Sequence, residues 1–380
     1  MTTELVLTNA RIVTRDSVIH GAARIAGDRI AEVSETPSQA SGALDLDGDY
    51  LLPGLVELHT DNMEKHFEPR PNAFWPSPLA AALAHDTQII GAGITTVLDA
   101  VCIGDYRDAG KRRRILADSI GSVTAARAAD LLHADHLFHL RCETSDPNVV
   151  EMFEPHADHP LLRLVSVMDH TPGQRQWTDL ESYRTFHRNK GWSDDEFATV
   201  VADYKHKMDQ YSDCNRRAIL DLCRGLDVPL ASHDDTTDEH VDQAHAEGIA
   251  IAEFPTTLSA AARARGYGMM TVMGAPNVVR GGSHSGNISA LALAERGLLD
   301  ILSSDYVPAS LLHAGFLVHQ QSGMDLPSAV CTIALNPAHS VGLTDRGEIA
   351  AGKRADLVRV HLHDGLPIVR EVWRGGRRVA

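Results

Sequence analysis

Leu52-Pro53-Gly54-Leu55-Val56-Glu57-Leu58-His59-Thr60-Asp61-Asn62-Met63-Glu64-Lys65-His66 is the stretch on which the reading of this 380-residue chain turns. An apolar run opens after a Pro-Gly turn and ends in a burst of polar and charged side chains. Residues i and i+2 of a β-strand share a face, so His59 and Asp61 project side by side at its C-terminal end. An imidazole beside a carboxylate makes a natural divalent-metal site. A strand that merely ends in a polar surface loop gives the same pattern, so the rest of the chain has to decide.

Upstream, residues 4–50 carry short alternating segments such as Leu5-Val6-Leu7 and Arg29-Ile30-Ala31-Glu32-Val33, parted by Gly, Asp and Asn turns. The C-terminus repeats the style in Asp356–Val360 and Ile368–Trp373. Both ends are expected to pair into one small β-sandwich domain, residues 1–52 plus 341–380. Between 53 and 340 apolar strands alternate with longer amphipathic segments, the mark of parallel α/β structure. Eight strand candidates fall at 54–59, 94–99, 137–143, 161–169, 228–233, 249–254, 269–274 and 299–304. That count predicts a (β/α)8 TIM-like barrel. Ser77, Pro78 and Gly91 bracket one helix, Arg112–Leu132 reads as another, and Ser193-Asp194-Asp195-Glu196 is a capping box inside a long helical insertion at 177–226.

A formal charge of −16 argues against general binding to nucleic acid or an anionic membrane. It also means that an anionic substrate needs a local cluster of positive charge or metal. The 21 histidines are compatible with metal chemistry. Five scattered cysteines match neither a zinc ribbon nor a disulfide scaffold, which points to a reducing compartment. No secretory signal and no apolar run of membrane-spanning length is visible, so a cytoplasmic location is expected.

Barrel enzymes keep their chemistry at the C-terminal ends of the strands. Those ends read His59 and Asp61, Asp99, Arg141-Cys142-Glu143, Met168-Asp169-His170, Ser232-His233-Asp234-Asp235, Glu253 and Ser303-Ser304-Asp305. Such a convergence predicts a metal centre. The candidate ligands are His59, Asp61, Glu143, His170, His233 and Asp305, with Glu143 open to the alternative of pairing with Arg141 or another cation. Asp99, Asp169 and Glu253 read better as supporting groups. After the seventh strand, Gly274–Asn287 runs towards an apolar-periodic segment, 288–299, that reads as a helix. Glycines allow close backbone approach and helix-start amides favour anions. Arg280, Ser283, His284 and Ser285 add donors, and Lys65, His66 and Arg70 in the loop after strand one can face the same anion. A Gly-rich turn without a ligand is the bland alternative. The basic runs Lys111–Arg114 and Arg374–Arg378 read as solvated surface.

With these residues in hand the chain resembles the amidohydrolase superfamily, on the Pro-Gly-x-x-x-x-His strand, the barrel aspartate and the closing segment Gly347–Val358. More narrowly, His59–His66 together with Gly281–Asn287 is similar to the PhnM family, the α-D-ribose 1-methylphosphonate 5-triphosphate diphosphatases of the carbon–phosphorus lyase pathway. The resemblance implies a divalent ion, Zn2+ being expected, as one or two ions. It implies His59 and Asp61 as the first-strand pair, Glu143 as a bridging acid, His170 and His233 as later ligands, and Asp305 as ligand and general base. It further implies hydrolysis of a ribosyl 5-triphosphate to the 5-monophosphate and pyrophosphate. Asp61 and Glu253 stand where many relatives carry histidine, which leaves the number of ions open. The partner expected is a small phosphorylated sugar, and self-association as a homodimer is open. Two competing readings are C–N hydrolysis, as in deaminases, dihydroorotases and deacetylases, and a metal-free binding protein on a degenerate barrel.

Overall fold

A computed structural model describes residues 4–104, 110–283 and 286–380. Eight parallel strands, Leu55–Thr60, Ile94–Ile103, Asp135–Glu143, Leu162–Met168, Leu230–His233, Ile251–Glu253, Met270–Gly274 and Ile301–Ser303, pair in chain order. The last returns to the first through a parallel bridge between Thr60 and Asp305. There the Asp305 N–H donates to the His59 carbonyl at 3.1 Å and the Asp61 N–H to the Asp305 carbonyl at 3.2 Å. Glu57, wholly buried, reinforces the seam by accepting from the Ser303 hydroxyl at 2.7 Å and the Ser304 N–H at 2.6 Å. Burial pushes its carboxyl up to about 7. The result is the expected α/β barrel.

The two ends of the chain build a separate eight-stranded mixed sheet. Its strand Tyr50–Pro53 pairs antiparallel with Leu357–Val360 and parallel with Arg11 and Ile12, so the N- and C-terminal segments interleave. Leu7, Ile12, Ile25, Leu51, Leu357 and Trp373 form its buried core. One residue then separates this sheet from the first barrel strand. At that residue, Gly54, a Cβ would lie 2.2 Å from Thr95 Oγ1 and 2.9 Å from Asp356 Cβ, so only glycine fits. The opening stretch of sequence therefore threads both sheets.

The helix Pro78–Gly91 starts on Ser77, whose side chain accepts from the Ala80 N–H at 3.3 Å. The next long helix spans Lys111–Ala128, shorter at its end than the sequence suggested. The insertion carries Leu180–Phe186 and the 30-residue helix Asp194–Cys223, whose capping box between Ser193 and Glu196 is complete. Trp177, Tyr183, Phe197 and Val201 give it a small core of its own. Among the described residues no helix is long and apolar enough to cross a membrane.

The expected helix at 288–299 is cut to Ala290–Ala294. The Asn277 side chain fixes the entry by donating to the Ile288 carbonyl at 3.2 Å and accepting from the Ala290 N–H at 3.0 Å, and Gly297, at φ 67°, turns the chain away beyond the other end. Asn277 itself lies on a short helix, Ala275–Arg280, where the sequence read as loop.

Candidate active site

A cavity of about 560 Å³ opens at the C-terminal ends of the strands. His59, Asp61, His170, His233 and Asp305 line it, and Arg280 and Ser283 stand on its wall. Glu143, Lys65 and His66 lie off that wall. His284 and Ser285 fall outside the described residues.

The imidazoles are aimed by carboxylates behind them. His59 Nδ1 bonds Glu253 Oε1 at 2.7 Å, and His233 Nδ1 bonds Glu253 Oε2 at 3.0 Å. His170 Nδ1 bonds Glu143 Oε2 at 2.6 Å, while Glu143 Oε1 accepts from the His170 N–H at 2.9 Å and the Ser145 hydroxyl at 3.0 Å. Carboxylates so placed fix the ring tautomer and leave the Nε2 atoms free to face a cation. Glu143 thus holds a histidine; it makes no ion pair with Arg141.

Asp234, which the sequence reading passed over, completes a group. Its Oδ2 is 3.5 Å from His233 Nε2 and 3.7 Å from His170 Nε2. The donor atoms of these three residues all lie within 4.8 Å of one another. Strand alternation places Asp234 opposite His233, but its backbone turns into the left-handed region at φ 54° and swings the carboxylate back. Phe254 and Asp305 do the same at the ends of the sixth and eighth strands, with φ 52° and 53°. Non-glycine residues held this way are strained, and such strain gathers at functional sites.

Among the described residues Asp61, Asp234 and Asp305 form no ion pair with a lysine or arginine, although the Arg141 charge acts on Asp234 and Asp305. Burial pushes Asp234 up to about 7, and burial together with Asp61 pushes Asp305 up to about 7. Asp61 Oδ1 is buried without a hydrogen-bond partner. Burial holds His59 and His233 well below the usual imidazole value, in the neutral form that binds metal. This donor chemistry fits a divalent ion. A second grouping of His59, His139 and Glu253 suits one less well. His139 Nδ1 is taken by the Leu58 carbonyl at 3.0 Å and Nε2 by the Ser166 hydroxyl at 2.9 Å.

The loop after strand one is gripped from both sides. Arg112 reaches both Glu64 oxygens at 2.6 Å and Lys111 pairs with Glu68, so the basic run read as solvated surface is partly engaged. Lys65 Nζ donates to the Tyr306 carbonyl at 2.6 Å, and His66 Nε2 bonds Gln88 at 3.0 Å. Asn62 leans on His85, which bonds Asp99 at 2.9 Å. Asp99 then meets His136, and His136 meets Asp86. Burial alone would lower His136, yet Asp99 and Asp86 outweigh it and raise the ring to about 9.

Tyr306, Gln176 and Phe186 also line the cavity, Phe186 from the insertion and Gln176 from the residue just before it. Their place follows from tertiary packing, and only the position of Tyr306 beside Asp305 could have suggested it.

Comparison with known proteins agrees with this geometry. The amidohydrolase family profile matches residues 50–379. The alpha-D-ribose 1-methylphosphonate 5-triphosphate diphosphatase of Escherichia coli (strain K12) is 44% identical over 378 residues, covering 99% of this chain and 100% of that protein. Among solved structures, an N-acetyl-D-glucosamine-6-phosphate deacetylase from Mycobacterium smegmatis superposes with a TM-score of 0.63 at 18% identity, covering 99% of this chain and 100% of that one. A 5-methylcytosine deaminase from Klebsiella pneumoniae gives 0.66 at 14%, covering 99% and 97%. At such identities these two speak for the fold alone.

Proposed function

The chain belongs to the amidohydrolase family, and from that premise we infer that it hydrolyses α-D-ribose 1-methylphosphonate 5-triphosphate to the 5-phosphate and pyrophosphate in phosphonate catabolism. The observation that carries this reading is the full-length relative with that printed activity. The cavity supports it by setting a histidine–carboxylate group beside a wall bearing Arg280 and Ser283.

In this reading His170, His233 and Asp234 would hold the ion, and His59, Asp61 and Asp305 line the same cavity, His59 stacked on His233 at 5.7 Å. Zn2+ suits the mixed imidazole and carboxylate donors. A divalent ion supplies a bound water of pKa roughly 7 and stabilises charge on phosphoryl oxygens. Glu253 and Glu143 keep the three rings oriented. Asp305, whose carboxylate faces the same cavity, takes the proton of the attacking water. Arg280 offers a forked donor to the departing phosphates, and Ser283 a hydroxyl. Lys65 and His66 meet the outer end of the chain of phosphates if the rim closes. A cytoplasmic setting accords with five cysteines that are all free thiols.

Phosphorus NMR of the products tests the reading. Pyrophosphate together with a 5-monophosphate is expected; orthophosphate together with a 5-diphosphate would overturn it.

A further inference from the structure

Arg141 projects from the end of the third strand onto the cavity wall shared by His59, Asp61 and Asp305. Its Nε is buried and has no hydrogen-bond partner. Among the described residues no carboxylate forms an ion pair with it. The fold treats its buried arginines differently. Arg175 pairs with Asp235 at 2.7 Å, and Arg216 with Glu247 at 2.6 Å. Only its Nε is shut from water; the rest of the guanidinium opens on the cavity with its N–H groups untaken by protein acceptors among the described residues.

The surroundings say what belongs there. Asp61, Glu253 and Asp305 act on Arg141 from beyond salt-bridge range, so they hold its charge in place without occupying its donors. His59, His170 and His233 line the same cavity, so Arg141 faces the same volume as the proposed metal ligands. A planar fork with open N–H groups matches the oxygens of a phosphoryl group. Resting on the function proposed above, we propose that Arg141 is a catalytic residue that grips the non-bridging oxygens of the scissile phosphoryl group. It supplies the second positive charge beside a single metal ion. In the step it serves, the water oxygen bonds to phosphorus and the water proton passes to Asp305. The phosphorus–oxygen bond to pyrophosphate breaks, and pyrophosphate leaves with the electron pair. Arg141 keeps its own protons throughout.

The scissile phosphoryl group remains on the sugar, so ribose 5-phosphate is the probe for Arg141 and pyrophosphate the probe for the Arg280 side. Calorimetry on the metal-loaded protein is expected to show Arg141→Met weakening ribose 5-phosphate by roughly 10- to 100-fold. Pyrophosphate should change less than about threefold. Elemental analysis should give about one ion per chain in both proteins. Arg141→Lys, which keeps the charge and loses the fork, should fall between, and it serves if the methionine variant does not fold. Two ions per chain in the unaltered protein, or equal or absent effects on the two probes, overturns the proposal. Failure to hydrolyse 5-triphosphates with the split intact sinks the proposed function and leaves the phosphoryl site standing.

Discussion

Asp305 closes the barrel with its backbone and faces the cavity with its carboxylate, so a substitution must separate the two duties. Asp305→Asn keeps the Thr60 bridge and removes the proton acceptor. We expect kcat to fall by roughly 10²- to 10⁴-fold, KM to stay within a few-fold and metal content to be unchanged, as read by steady-state kinetics and elemental analysis. His136, which does not line the cavity, offers a second residue-scale test. Its imidazolium is raised from 6.5 to about 9 against the opposing effect of burial, by Asp99 and Asp86. Below pH 6.5 folded and unfolded chains both carry the proton, and the stabilisation is fully present. Between 6.5 and about 9 only the folded chain keeps it, so stability declines as pH rises and this contribution is gone above that range. Urea unfolding across the window should show a loss on the order of 1–3 kcal/mol, and His136→Gln should flatten it.

Elements were legible where their chemistry is local. The eight barrel strands are buried apolar runs, and each was readable within a few residues of where it lies. Ser77 and the Ser193–Glu196 box mark helix starts because a cap is written in adjacent residues. The segment after Gly286 misled because its apolar spacing suits a helix, while Asn277 decides from a distance where the helix starts. The site divides the same way. His59 and Asp61 follow from strand alternation, but Asp234 depends on a left-handed turn that no spacing announces. Glu253 orients His59 from 194 residues away, a relation invisible along the chain. Gly54, the joint between the two sheets, gives the element-scale prediction. Gly54→Ala should cost about 1–3 kcal/mol by overpacking against Thr95, and adding Thr95→Ala should recover part of it, as read from urea midpoints.

At the scale of the molecule, a barrel mouth in which Asp61, Asp234 and Asp305 have no lysine or arginine ion-pair partner among the described residues predicts that the bound ion stabilises the fold. Chelation should lower the melting temperature and Zn2+ should restore it, with a gain of about 4 kcal/mol at a thousandfold excess over Kd. A melting curve indifferent to chelator would count against any ion in this cavity. The threading of Tyr50–Thr60 through both sheets has a further consequence, for the order of assembly during synthesis. Tyr50–Pro53 needs Leu357–Val360 as its neighbour, and that partner leaves the ribosome long after it. The barrel can gather its strands in the order they emerge, since each pairs with its predecessor. The terminal sheet cannot, because its contacts span nearly the whole sequence, and such long-range pairing forms slowly. A nascent chain therefore waits with its first barrel strand anchored on one side only, until Leu357–Val360 arrive and fasten the other.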